Sequence, residues 1–155
     1  MLHLIPAPLH RLALRVGHRL RKRWYRVTGR SATGVSVIGI DDAGRILLVR
    51  HGYGSGRWAL PGGGVGRNED PHACARREMG EELGCELDDL KLVGQFDDLF
   101  YGAPHHNLVF TCRFVGDPAA DGREIVEVGW FARDGLPPDV VRFVFDRLAH
   151  AFPRG

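Results

Sequence analysis

The chain has 155 residues, 44% of them hydrophobic and 26% charged, with a formal net charge of +2, which suits a single soluble globular domain. A chain of this length buries roughly 68–70% of its unfolded surface, enough for one core, and no run of about 18 apolar residues offers a membrane span. Charge is unevenly placed: residues 1–40 hold eight Lys and Arg and no Asp or Glu, leaving 13 basic against 19 acidic residues in 41–155. Three cysteines, Cys74, Cys85 and Cys112, form no C-x-x-C pair, so reduced thiols in a cytoplasmic setting are expected. Arg11, Arg15 and Arg19 interrupt every candidate apolar core of a signal peptide, and none is expected.

Residues 1–30 read as a basic arm and 31–155 as the body. In the arm, Leu9, Leu12, Ala13, Val16, Leu20, Trp24 and Val27 recur at helical steps beside a stripe of Arg11, Arg15, His18, Lys22 and Arg26. This predicts an amphipathic helix that packs on the body or on a second subunit, so a homodimer is open. An anionic membrane surface or RNA phosphates are the less favoured partners. The body begins with a β-branched alternation over 33–40, a turn at Asp41–Gly44 and an apolar run, Ile46–Val49, that predicts a central strand. A glycine-rich loop over 52–56 and a short segment at Trp58–Leu60 lead to Pro61-Gly62-Gly63-Gly64-Val65-Gly66, read as a loop suited to close backbone approach. A helix is predicted from Pro71, capped by Asp70, to a stop at Gly84, with Ala75, Met79 and Leu83 as its packing stripe. Strands are predicted over 90–97, 107–115 and 125–131, and a closing helix over 139–151 with Val140, Val141, Val144, Phe145 and Leu148 on its apolar face. This order suggests a mixed sheet with helices on both sides.

On the predicted helix, Glu78, Glu81 and Glu82 stand at offsets of 0, 3 and 4, so three carboxylates share one face. Like charges at that spacing cost an isolated helix roughly 0.2–0.5 kcal/mol per pair. A cation is the natural compensation, and hard, oxygen-seeking Mg²⁺ or Mn²⁺ suits carboxylate ligands. The alternative is a solvated acidic surface. His105-His106 looks like half a metal site, but neither a cysteine nor a third histidine lies at zinc spacing.

The run from Gly63 to Cys85, GGVGRNEDPHACARREMGEELGC, resembles the Nudix box, G-x5-E-x7-R-E-U-x-E-E-x-G-U, where U is a bulky apolar residue. Gly63, Glu69, Arg77, Glu78, Glu81, Glu82 and Gly84 fill every fixed position. Met79 and Cys85 are mild departures at the apolar ones, and Asn68 stands where glycine is common. The resemblance implies an α/β/α sandwich and Mg²⁺-dependent (or Mn²⁺-dependent) hydrolysis of a diphosphate linkage in a nucleoside diphosphate derivative. It implies Glu78, Glu81 and Glu82 as metal ligands, with the Gly63 carbonyl as a fourth. Glu82 and Glu78 are both candidates to orient or deprotonate the attacking water, and a base from outside the box would be Glu124 or Glu127, with Glu124 favoured. Glu69 and Arg77 are expected to pair and lock the loop onto the helix. Arg50, Arg57 and Tyr101 are candidate substrate contacts, and Tyr101 lies where dinucleoside polyphosphate hydrolases of this family often carry tyrosine. The resemblance leaves three readings: hydrolysis of a small nucleotide (a nucleoside triphosphate or dinucleoside polyphosphate), RNA 5′-pyrophosphohydrolysis using the arm, or a non-catalytic nucleotide-binding module.

Overall fold

The computed structural model describes residues 32–100 and 102–153. The amphipathic helix expected in the arm, and Tyr101, lie outside the described residues. The strands are β1 (Ala32–Gly39), β2 (Ile46–His51), β3 (Trp58–Ala59), β4 (Gly62–Gly64), β5 (Glu86–Phe100), β6 (Ala103–Val115) and β7 (Ile125–Phe131), and the helices α1 (Pro71–Leu83) and α2 (Phe143–Ala151).

The expected mixed sheet is present as two units. One has the order β4-β1-β6-β5 and the other β3-β2-β7. Only the β1–β6 pairing is parallel within these strands; the others are antiparallel. An isolated bridge, Ile40 to Ile46, joins the units at the β1–β2 turn. Both share the same two cores, because alternate residues of each strand face opposite sides. Val35, Val37, Leu47 and Val49 pack with Cys74, Ala75, Met79 and Leu83 of α1. Ile38, Ile46 and Leu48 pack with Val144 and Leu148 of α2. Ile46–Val49 are therefore wholly buried on both faces, as an unbroken apolar run requires.

The α1 boundaries follow from local chemistry. The Asp70 carboxylate accepts from the Ala73 N–H at 3.0 Å, Pro71 opens the helix, and Gly84 adopts a left-handed φ of 67°. Four expectations change. The glycine run at 62–64 is a strand, pairing with Ser36, Val35 and Gly34 of β1. The β5–β6 hairpin extends well beyond the hydrophobic segments, through pairs such as Asp97–His106 and Asp98–His105; polar cross-strand pairs carry the ladder where apolar alternation stops. The last helix starts late, because Val140 bridges Trp58 and residues 139 and 141 exchange backbone bonds with Trp58. Phe145, expected on the apolar face of that helix, is 52% exposed.

Candidate active site

Two neighbouring elements build the site. In β4, side-chain-free backbone lies against α1. A Cβ on Gly63 would come within 2.3 Å of the Glu78 carboxyl carbon, and one on Gly62 within 2.0 Å of the Val35 carbonyl oxygen. Any side chain at these positions would push β4 off β1 or the carboxylate off β4. The glycines thus let a carboxylate rest directly on the strand backbone.

Along α1 the three glutamates fall into different environments. Glu82 is 3% exposed, and its Oε2 is buried with no hydrogen-bond partner. Burial, followed by the nearby charges of Glu78, Glu124 and Asp121, pushes its carboxyl up to about 9, against the pull of the Gly62 backbone N–H. Glu78 is also raised, again first by burial; Arg77 opposes the rise and Glu81 and Glu124 add to it. Glu81 is exposed. The structure therefore brings Glu78, Glu82 and Glu124 into one electrostatic cluster and leaves Glu81 at its rim.

The expected Glu69–Arg77 pair forms. Arg77 donates from Nε to Glu69 Oε1 at 2.7 Å and from Nη2 to Oε2 at 3.1 Å, a two-pronged contact. The Glu69 Oε2 also accepts from the Gly66 N–H at 2.7 Å, and Arg77 Nη2 reaches the Gly64 carbonyl at 3.2 Å. Loop, strand and helix meet at this one guanidinium. Arg77 pulls the Glu69 carboxyl down to about 2 by hydrogen bonding, assisted by Gly66. Arg77 also extends Nη1 to Glu78 at 2.9 Å and Glu81 at 3.4 Å, contacts absent from the sequence reading.

The remaining candidates separate clearly. Glu124 precedes β7 on a turn organised by Asp121, whose carboxylate accepts from the Arg123, Glu124 and Ile125 N–H groups. Glu127 instead pairs with Arg50 at 3.4 Å. Arg50 also bonds Asp139 and lies 4.8 Å over the Trp58 ring, and Arg57 donates to the Val140 carbonyl at 2.6 Å. Both arginines thus fasten the 139–140 segment to β2 and β3. His106 pairs with Asp97 at 2.6 Å, whereas His105 packs 5.2 Å from Phe100 and is lowered by burial. Sequence reasoning gave Asp121 no role in the site, although its charge also raises Glu82. It also missed the Arg77 reach to Glu81, although their four-residue separation on a helix signals it.

Among the described residues no three His, Cys, Asp or Glu groups are already gathered as a metal-ligand set. The donor chemistry nevertheless fits a divalent cation. A buried carboxylate oxygen lacks a partner and three further carboxylates raise its proton affinity, a combination that an added cation relieves.

The chain is an α/β/α sandwich whose acidic helix rests on a glycine strand. The family model described as NUDIX domain matches residues 30–150, and the chain belongs to the Nudix hydrolase family. It is 32% identical over 119 residues to a MutT-like protein from Streptomyces ambofaciens, covering 76% of this chain and 75% of that one. It is 30% identical over 106 residues to an RNA pyrophosphohydrolase from Hydrogenovibrio crunogenus, covering 68% of this chain but only 59% of the relative. The crystal structure of a MutT NUDIX hydrolase from Burkholderia pseudomallei superposes with a TM-score of 0.72 at 29% identity, covering 79% of this chain and 99% of that one.

Proposed function

We propose that this Nudix hydrolase cleaves the diphosphate linkage of a small nucleotide, a nucleoside triphosphate or dinucleoside polyphosphate, with Mg²⁺ or Mn²⁺ as cofactor. The observation that carries the reading is the buried, partnerless Oε2 of Glu82 within the Glu78–Glu124 cluster. Glu78, Glu81 and Glu82, with the Gly63 carbonyl, would hold the metal. When bound, it supplies charge neutralisation on the phosphates and a more acidic bound water. Glu82, Glu78 and Glu124 are the groups that would orient the attacking water and accept its proton; burial raises the proton affinity of Glu82 and Glu78, which makes their carboxylate forms stronger bases. Glu69 and Arg77 keep α1 and the glycine strand in register, so the ligands stand at fixed separations.

The RNA 5′-pyrophosphohydrolase reading rests on the name of the Hydrogenovibrio relative and on the basic arm. A substrate panel separates the two. Purified protein with Mg²⁺ or Mn²⁺ is offered nucleoside triphosphates, dinucleoside polyphosphates, ADP-ribose, NADH, coenzyme A, nucleotide sugars and 5′-triphosphate RNA. The proposal predicts turnover of the small nucleotides and its loss in Glu82→Gln with the fold intact. Turnover of RNA alone would install the second reading, and no turnover of any substrate would sink both.

A further inference from the structure

The contacts of Arg77 divide into two groups of different character. Its Nε and Nη2 form the planar fork on Glu69, at 2.7 and 3.1 Å, and Nη2 adds the Gly64 carbonyl. Its Nη1 makes two separate bonds, to Glu78 Oε1 at 2.9 Å and to Glu81 Oε2 at 3.4 Å. The fork fits a carboxylate edge to edge and is geometrically stiff, whereas single bonds from one amino group can be exchanged individually. The carboxylates held by Nη1 are two of the three proposed as metal ligands, and the third, Glu82, is the one left with an unpartnered buried oxygen.

We infer that Arg77 is the resident counter-cation of the metal-free site: its Nη1 holds Glu78 and Glu81 until a divalent cation takes them, while its Nε–Nη2 edge stays on Glu69. The inference rests on the metal reading of the site. Its energetics are those of Coulomb attraction. A doubly charged ion at a typical ligand distance of about 2.1 Å attracts a carboxylate oxygen about threefold more strongly than a single charge 2.9 Å away in the same surroundings. Only Nη1 stands to lose by the exchange, because Glu69 lies outside the acidic cluster and accepts from the Gly66 N–H as well. Arg77 then has two tasks on two edges. One edge holds the frame permanently. The other relieves the repulsion between Glu78 and Glu81 whenever no cation does so.

The test is nitrogen-15 spectroscopy of the arginine side chains in the full chain, first with chelator and then with Mg²⁺ alone, with Arg77→Lys assigning the signals. Should that variant not fold, Glu69→Gln assigns them through the shift it imposes on Nε. In chelator, Arg77 Nε and Nη1 protons are both expected to be protected from exchange. With Mg²⁺, Nη1 should shift and exchange about tenfold faster, the equivalent of roughly one hydrogen bond lost, while Nε keeps its position and protection. Thermal unfolding of the same samples reports binding independently. An unchanged Nη1 in a protein that Mg²⁺ stabilises overturns the inference and leaves the metal reading standing. Loss of Nε protection together with Nη1 also overturns it, since the fork would not then be divided. No response of either measurement to Mg²⁺ or Mn²⁺ removes the metal reading and the inference together.

Discussion

Replacing Glu82 by glutamine is expected to stabilise the metal-free protein at neutral and alkaline pH while abolishing its activity. In the folded chain the Glu82 carboxyl titrates at about 9, against an ordinary value of 4.5. For a group whose proton affinity rises on folding, the folded state binds more protons than the unfolded state between those two values. Stability is then greatest below about pH 4.5 and declines as pH climbs toward 9. At pH 7.5 the unfolded glutamate has ionised three units above its pKa while the folded one has not, a loss of about 4 kcal/mol at about 1.36 kcal/mol per unit. Glutamine removes this liability. Its amide adds a constant cost of about 1–3 kcal/mol if its N–H₂ stays unsatisfied, so the diagnostic quantity is the change with pH. The assay is thermal unfolding of both proteins in chelator at pH 5 and pH 7.5. The midpoint of Glu82→Gln relative to wild type should rise between the two pH values by on the order of 10 °C, given about 2–4 °C per kcal/mol for a domain of this size. Added Mg²⁺ should raise the wild-type midpoint at pH 7.5 and leave the variant nearly unmoved. Equal pH slopes for the two proteins would refute the claim that Glu82 is held protonated by burial and its acidic neighbours.

Gly63→Ala should keep the fold and lose on the order of 100-fold in turnover, because the new methyl displaces the Glu78 carboxyl by about an ångström; circular dichroism and steady-state rates check both halves. Gly62→Ala should instead lower the unfolding temperature, since its methyl meets the Val35 backbone rather than a movable side chain. Glu69, drawn down to about 2 by Arg77, contributes stability that is present above about pH 4.5 and lost as pH falls toward 2. Glu69→Gln should therefore flatten the acid limb of the unfolding curve, and an unchanged limb would exclude the pair as its source. Deleting residues 1–30 should leave small-nucleotide hydrolysis intact, and collapse of RNA turnover alone, with a weakened salt dependence, would move the arm into the substrate site.

Why some of this was legible in the sequence and some was not comes down to the range of the forces involved. The helix 71–83 could be read residue by residue because a cap, a proline and a C-terminal glycine act within one or two turns, and so could the Glu69–Arg77 pair, whose members share one turn-and-helix unit. The central strand at 46–49 was legible because burial on two faces leaves no polar position. By contrast, the strand at 62–64 exists only because β1 approaches bare backbone, a relation between segments about 28 residues apart that a glycine run does not announce. The long polar hairpin and the late start of the last helix have the same cause, since cross-strand partners and the Trp58 bridge override local pattern. The site shows the limit most sharply. Spacing alone places three glutamates on one helical face as equals, yet their chemistry is set by what the fold packs around each one. One is sealed beneath the strand with its proton affinity raised, one is half-buried between the Arg77 guanidinium and β4, and one is exposed at the far reach of the same guanidinium. The proposed reaction would ask one residue type both to hold a cation and to activate a water, and that inequality matters to it, because identical carboxylates in identical surroundings could not divide those tasks.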